Sequence, residues 1–146
     1  MRHHSVSTEH TMASRTLAHK VLPGSLHSEI ERIQAGLPFR AVESLQKSLA
    51  LAPEQLRSVL GISRATFQRR KVKGKLGSAE SERLARFQRL LGRSAEVFGG
   101  ADEARRWLTA PQPALGGAVP IEFAGSEIGA REVEQLLGRI EHGVYS

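Results

Sequence analysis

Seven cationic side chains, Arg57, Arg64, Arg69, Arg70, Lys71, Lys73 and Lys75, lie close together at mid-chain with no Asp or Glu among them. The chemistry that suits such a cluster is phosphate binding. Each phosphate neutralised on a polyanion releases condensed counterions, so affinity grows with the number of cations applied and falls with salt. Arg64, Gln68 and Arg69 are long enough to reach base edges, where arginine favours guanine and glutamine favours adenine. Ser63 and Thr66 carry hydroxyls suited to phosphate oxygens. Lys71, Lys73 and Lys75 suit the nucleic-acid backbone, where contacts position a protein without specifying a sequence, and Arg70 is expected among the DNA contacts.

Other chemistries find little support. There is no cysteine, so there is neither a disulfide framework nor a thiolate nucleophile. Paired carboxylates, metal-ligand spacings and a glycine loop ahead of a Lys-Ser/Thr pair are missing. Asp102, the only aspartate, sits where it would cap a helix. The chain therefore reads as a non-enzyme that needs no metal and no cofactor. No stretch approaches the ~20 apolar residues of a membrane span. The N-terminus lacks a signal-peptide apolar core, so a cytoplasmic protein without membrane contact is expected.

The basic cluster must be carried on something, and Leu51 to Lys75 supplies the scaffold. Pro53 suits a first helical position, where its missing N–H has no intrahelical partner to lose. Leu56, Val59 and Leu60 recur at helical spacing. Gly61 ends that helix, Ile62 plugs the corner, and Ser63 caps a second helix from Arg64 to about Lys71 that buries Phe67. Two short helices about a glycine corner form a helix-turn-helix, whose second helix enters the DNA major groove.

The rest of the chain predicts an all-α helical bundle around this element, with a small helical module at the C-terminal end. Residues 1–22 are polar and aperiodic and read as a disordered tail. His3, His4, His10 and His19 within it match no metal site. A helix follows with Leu26, Ile30, Ile33 and Leu37 as its apolar positions and Ser28 and Glu31 placed for a capping box. Another begins at Pro38 and carries Phe39, Val42, Leu45 and Leu49. After Lys75, Ser78 would cap a long helix lined by Leu84, Phe87, Leu90 and Leu91. It would end near Gly92, with a short continuation from Ser94 to Phe98. Gly99-Gly100 marks a boundary between a DNA-binding domain at 23–98 and a module at 99–146. Asp102 would cap a helix to about Thr109, prolines and glycines interrupt Ala110 to Pro120, and a last helix runs from about Gly129 to Glu141. Its apolar residues are Val133, Leu136, Leu137 and Ile140. Trp107 reads as a core anchor and Leu115-Gly116-Gly117 as a loop that needs unusual backbone angles.

Charge divides along the same line. The net charge is +6, but residues 51–100 hold 11 Lys and Arg against 4 acidic residues, whereas residues 101–146 hold 4 against 7. Two partners of opposite character are implied.

The ordered combination of a helix-turn-helix, the Ser81-Glu82-Arg83-Leu84 run, Trp107-Leu108, Pro113, Leu115-Gly116-Gly117, Pro120 and a closing helix into Glu141-His142-Gly143 resembles the Xre/MbcA/ParS antitoxins of bacterial type II toxin–antitoxin systems. The likeness covers about Leu37 to Gly143. It departs from the family pattern in lacking a Ser or Thr before Pro53 and in the density of its basic run from Arg69 to Lys75. The resemblance implies a toxin-binding C-terminal region and a DNA-binding centre that represses the pair's own operon. The usual partner of such proteins is an NAD-consuming RES-domain toxin with an ADP-ribosyltransferase-like fold. The partners expected are therefore that cognate toxin and operator DNA, with the chain forming a homodimer inside a larger hetero-oligomer.

The closing helix and tail are the expected toxin contact. Glu132, Glu134 and Glu141 would oppose a basic NAD-binding cleft, with Leu136, Ile140, Gly143, Val144 and Tyr145 completing the surface. Tyrosine is a frequent interface anchor. Neutralisation would then be occlusion of the active cleft, without chemistry. The alternative is a stand-alone helix-turn-helix regulator whose C-terminal third serves dimerisation or ligand sensing.

Overall fold

The computed structural model describes residues 23–143. The expected tail at 1–22 with its four histidines lies outside the described residues, as do Val144 and Tyr145. Among the described residues the chain is all-α. The helices are α1 (Pro23–Ala35), α2 (Phe39–Leu49), α3 (Pro53–Leu60), α4 (Arg64–Lys73), α5 (Ser78–Phe98), α6 (Ala101–Leu108), α7 (Pro120–Phe123) and α8 (Glu127–Glu141), with a single 3-10 turn at Pro113–Leu115. None of them is long and apolar enough to cross a membrane.

Helix α5 is the spine, with α1, α2, α3, α6 and α8 all packing against it. It runs unbroken from Ser78 to Phe98, where the sequence suggested an end near Gly92. A mid-helix glycine costs only about 1 kcal/mol relative to alanine. Phe87, Leu90 and Ser94 form one buried stripe across it, so packing on both sides holds the helix through that point. One cluster of buried side chains joins the two halves of the chain. It takes in Val42, Leu45, Leu56 and Leu60 of the first half and Leu108, Ile121, Val133 and Leu137 of the second, with Leu84, Phe87 and Leu90 of α5 between them. Trp107 packs against this cluster and stands 5.2 Å, ring centre to ring centre, from Phe98.

Several helix starts differ from expectation for local reasons. Gly77, not Ser78, is the N-cap of α5, and its N–H donates to Glu80 Oε1 at 2.8 Å. Gly100 caps α6, leaving Asp102 in its first turn, where negative charge favours the helix dipole. Ser126 caps α8 by accepting from Gly129 N at 3.0 Å, which moves the start of that helix ahead to Glu127. Helix α3 has no side-chain cap, but Gln55 Oε1 accepts from Ala52 N at 3.1 Å. Helix α1 begins at Pro23, so Ser28 and Glu31 fall inside it and not at its start. Of its apolar positions Ile33 packs on the core, whereas Leu26 and Ile30 remain exposed.

Glycine is needed at Gly129 for a close approach and at Gly116-Gly117 for backbone angle. A Cβ on Gly129 would collide with the Phe123 carbonyl, because α7 and α8 meet there backbone to backbone. Gly116 and Gly117 have φ of 68° and 89°, the left-handed region that the loop reading anticipated. Gln112 closes that loop, its Nε2 donating to Trp107 O at 2.9 Å while its backbone pairs with Ala118 and Gly117.

The linkers around the helix-turn-helix are stitched together. Leu76 N donates to Leu37 O and Phe39 N to Gly74 O, both at 2.9 Å. Leu37 N, buried, donates to Ser81 Oγ at 2.8 Å, and Ser81 is fully buried. Replacing Ser81 by Ala would strand that N–H away from water, with an expected loss of about 1–3 kcal/mol of unfolding free energy. Urea denaturation of Ser81→Ala beside the wild type measures it.

Candidate nucleic-acid interface and partner face

The helix-turn-helix forms as its residues dictate. Leu56, Val59 and Leu60 of α3 are buried, Gly61 turns the corner with φ of 66°, and Ile62 is 7% exposed beneath it. Ser63 caps α4, its hydroxyl accepting from Thr66 N at 3.2 Å. Arg83 of α5 reaches across and donates from Nε to Leu60 O at 2.6 Å, satisfying a carbonyl at the end of α3 that has no helical partner.

Helix α4 has no fully buried residue. Phe67 is its inward anchor, half-buried and packed edge-on against Phe39 at 5.1 Å between ring centres. Ser63, Arg64, Gln68, Arg69, Lys71, Lys73 and Lys75 are exposed, as a DNA-facing surface requires. Thr66 is half-buried and its hydroxyl is held locally, accepting from Ser63 Oγ and Arg69 Nη2, both at 3.1 Å.

Arg70 stands apart from the other expected contacts. It turns inward and forms a forked pair with Glu80 of α5, Nε to Oε1 at 2.8 Å and Nη2 to Oε2 at 3.2 Å. The hydrogen bond to Glu80 and that carboxylate's charge raise the Arg70 pKa above its ordinary value. Burial pushes the Glu80 carboxyl up. The hydrogen bonds from Arg70 and the Gly77 N–H, with the charges of Arg70 and Arg83, outweigh burial and hold it below the ordinary carboxylate value. Arg70 thus ties the second helix to the spine, and the DNA contact expected of it is corrected. Sequence spacing did not expose this, because the partner lies ten residues away across a turn.

The sequence reading also passed over Val72. It is 87% exposed and borders an open groove of about 560 Å³ along α4, lined by Gln68, Arg69, Arg70, Val72 and Lys73. Its position opposite Phe67 on a 3.6-residue period was the available signal.

At the other end of the chain α8 buries Gly129, Ala130, Val133, Leu136 and Leu137. Leu136 is 1% exposed and belongs to the interior. Its expected role as a partner contact is corrected, since a core leucine has no surface to offer. Glu132, Glu134 and Gly143 are exposed and Ile140 is half-buried. Glu141 is exposed but engaged, accepting from Arg93 Nη2 at 2.5 Å. That hydrogen bond and the Arg93 charge lower the pKa of Glu141 against a smaller opposing effect of burial. A groove of about 550 Å³ opens between α5 and α8, with Arg89, Arg93, Glu96 and Glu134 on its walls. Ile128, 74% exposed, and Phe123, 37% exposed, are surface apolar residues on this half that the sequence reading did not single out. Among the described residues no group of acidic and histidine side chains is arranged to hold a metal ion.

Comparison with known proteins matches two segments of the chain. Residues 28–89 match the antitoxin Xre-like helix-turn-helix domain, and residues 93–143 match the antitoxin Xre/MbcA/ParS C-terminal toxin-binding domain. The antitoxin Xre of Photorhabdus laumondii is 34% identical over 116 residues, which is 78% of this chain and 78% of that protein. The antitoxin Xre of Yersinia enterocolitica is 34% identical over 119 residues, 80% of each.

The tie between Arg70 and Glu80 has a pH signature. A carboxyl whose folded pKa is lowered adds stability that is fully present above its unfolded value of about 4.3 and is lost as the pH falls through the folded value. Glu80→Gln removes this contribution at every pH. Thermal melts from neutral pH down to about pH 3 should show wild type and variant converging as the medium is acidified, with the wild type more stable at neutral pH. A gap that stays constant with pH contradicts the assignment.

Proposed function

The chain belongs to the Xre/MbcA/ParS antitoxin family, and from that premise we propose that it neutralises an NAD-consuming RES-type toxin by occluding its active cleft and represses its own operon by binding operator DNA. The family membership supports an antitoxin role with a toxin-binding C-terminal half. The RES partner, the occlusion and the autorepression are our reading. The observation that carries it is the opposed character of the two exposed surfaces. Helix α4 presents Arg64, Gln68, Arg69, Lys71 and Lys73 with no acidic side chain among its residues, whereas α8 presents Glu127, Glu132, Glu134 and Glu141 against Arg131 and Arg139, an acidic excess.

In this reading α4 lies in the major groove. Arg64, Gln68 and Arg69 meet base edges, and Lys71, Lys73 and Lys75 hold phosphates. Ser63 and Thr66 add hydroxyl contacts to the backbone. One short helix reads only a few base pairs, so operator binding uses a homodimer within a larger toxin-bridged assembly. The division near Gly99 is one of function, since a single core crosses it. The toxin-facing surface comprises Glu132, Glu134, Ile140, Glu141 and Gly143, with the exposed Phe123 and Ile128 on the same half of the chain. Val144 and Tyr145 extend it in sequence. The antitoxin performs no chemistry. The reading as a stand-alone regulator is disfavoured by the match of residues 93–143 to a toxin-binding domain.

The experiment on the toxin face must spare the core. Cutting at Glu132 would remove Val133, Leu136 and Leu137, all buried, and so would test folding. Deletion of residues 142–146 leaves every described helix whole. Co-expressed with the toxin encoded beside it, the deletion variant should lose rescue of growth while retaining operator binding. Full rescue would remove the C-terminal end from the contact.

For the DNA face, Arg69→Ala is expected to lower operator affinity by about 1–3 kcal/mol and to relax preference at one base pair. Lys73→Ala should weaken binding to all sequences alike and reduce the salt slope by about 1. Fluorescence anisotropy across a salt series reads both effects.

A further inference from the structure

We propose that Val72 is a sequence-reading residue, its exposed methyl groups meeting the C5-methyl of a thymine in the major groove beside the bases contacted by Gln68 and Arg69. The inference rests on the DNA-binding reading above and assigns a specificity that nothing in that reading supplies. Among the described residues Val72 has the highest fractional exposure of the large apolar side chains left on the surface, 87% against 74% for Ile128 and 59% for Leu26. Single exposed apolar residues are common and need no explanation by themselves. Val72 differs in where it stands. It interrupts a run of Arg, Gln and Lys on a helix with no fully buried residue, and a β-branched side chain there is less favourable to the helix than the straight chains around it.

Helix geometry sets its direction. Successive residues are about 100° apart around the axis, so Lys71 and Lys73 flank Val72 on either side, and Gln68 and Arg69 lie one turn back on the same face. Phe67 points the opposite way, into the core, and Arg70 is drawn off towards Glu80. With Lys71 and Lys73 holding phosphates at the groove walls, Val72 faces the floor. It lines the same open groove as Gln68, Arg69 and Lys73. Only thymine offers an apolar group in the major groove, and valine, with no hydrogen-bonding atom in its side chain, has no other base feature to read. Ala65, exposed one further turn back, is small enough to let this face approach closely.

The test uses duplexes enriched from a random pool by the purified full-length chain. Each thymine of the enriched sequence is then replaced by uracil, which lacks only the methyl, and affinities are measured by fluorescence anisotropy. For the wild type, uracil at one thymine per half-site should weaken binding about fourfold, the worth of one buried methyl-sized group. In Val72→Ser that penalty should vanish at the same position and persist nowhere else. Thermal melts matching the wild type show that Val72→Ser is folded. If uracil is neutral at every position for the wild type, or if Val72→Ser keeps the discrimination, the proposal is overturned while DNA binding by α4 stands. If no duplex is enriched at all, the DNA-binding reading itself fails and this inference goes with it.

Discussion

The helix-turn-helix depends on the first turns of α5. Three consecutive elements are held from that one place: Ser81 accepts from Leu37 N ahead of α2, Arg83 donates to Leu60 O at the end of α3, and Glu80 grips Arg70 on α4. Each contact satisfies a group that would otherwise be unpaired, whether a buried N–H, a helix-terminal carbonyl or an inward guanidinium. The need is greatest for α4. A helix of ten residues is marginal alone in water, and α4 buries nothing fully. Its cap at Ser63, the ring of Phe67 on Phe39 and the Arg70–Glu80 pair are what hold it in place.

That dependence explains how a helix can be almost wholly exposed and still present a defined face. A surface meant for a polyanion must keep its cations in solvent, so it cannot also supply a large apolar stripe. The structure resolves the conflict by using one aromatic anchor and one sacrificed cation on the inner side. The remaining cations, with Gln68 and Val72, stay on the outer side. The loop stitching from Leu37 and Phe39 to Leu76 and Gly74 does the same for the chain entering and leaving the motif, where backbone groups would otherwise lie unpaired.

Helix α5 also carries the second half of the molecule. It also packs against α6 and α8, and the buried cluster passes from one half to the other without a break. The two surfaces of opposite charge therefore stand on a common helix and a common core. Close backbone contact at Gly129 and Phe123 fixes where α8 lies on that core. It also decides that Val133, Leu136 and Leu137 face inward while Glu132 and Glu134 face out.

Much of this was legible in the residues alone. The helical class, the corner at Gly61, the cap at Ser63, the inward Phe67, the glycine loop and the opposed charges of the two ends all arise from properties local to a few neighbouring residues: periodicity, backbone permissiveness and net charge. The matches to a helix-turn-helix domain and to a toxin-binding domain agree with the family resemblance carried by Ser81-Glu82-Arg83-Leu84 and Leu115-Gly116-Gly117. What the tertiary structure decided was which side chains remain free. Arg70 is withdrawn because Glu80 is folded next to it, Leu136 because α8 docks with that side down, and α5 runs through Gly92 because packing on both flanks outweighs one weak residue. Val72, in turn, is left in solvent because nothing is folded over it. Those outcomes depend on partners set by the packing of separate elements, and no window of sequence contains them.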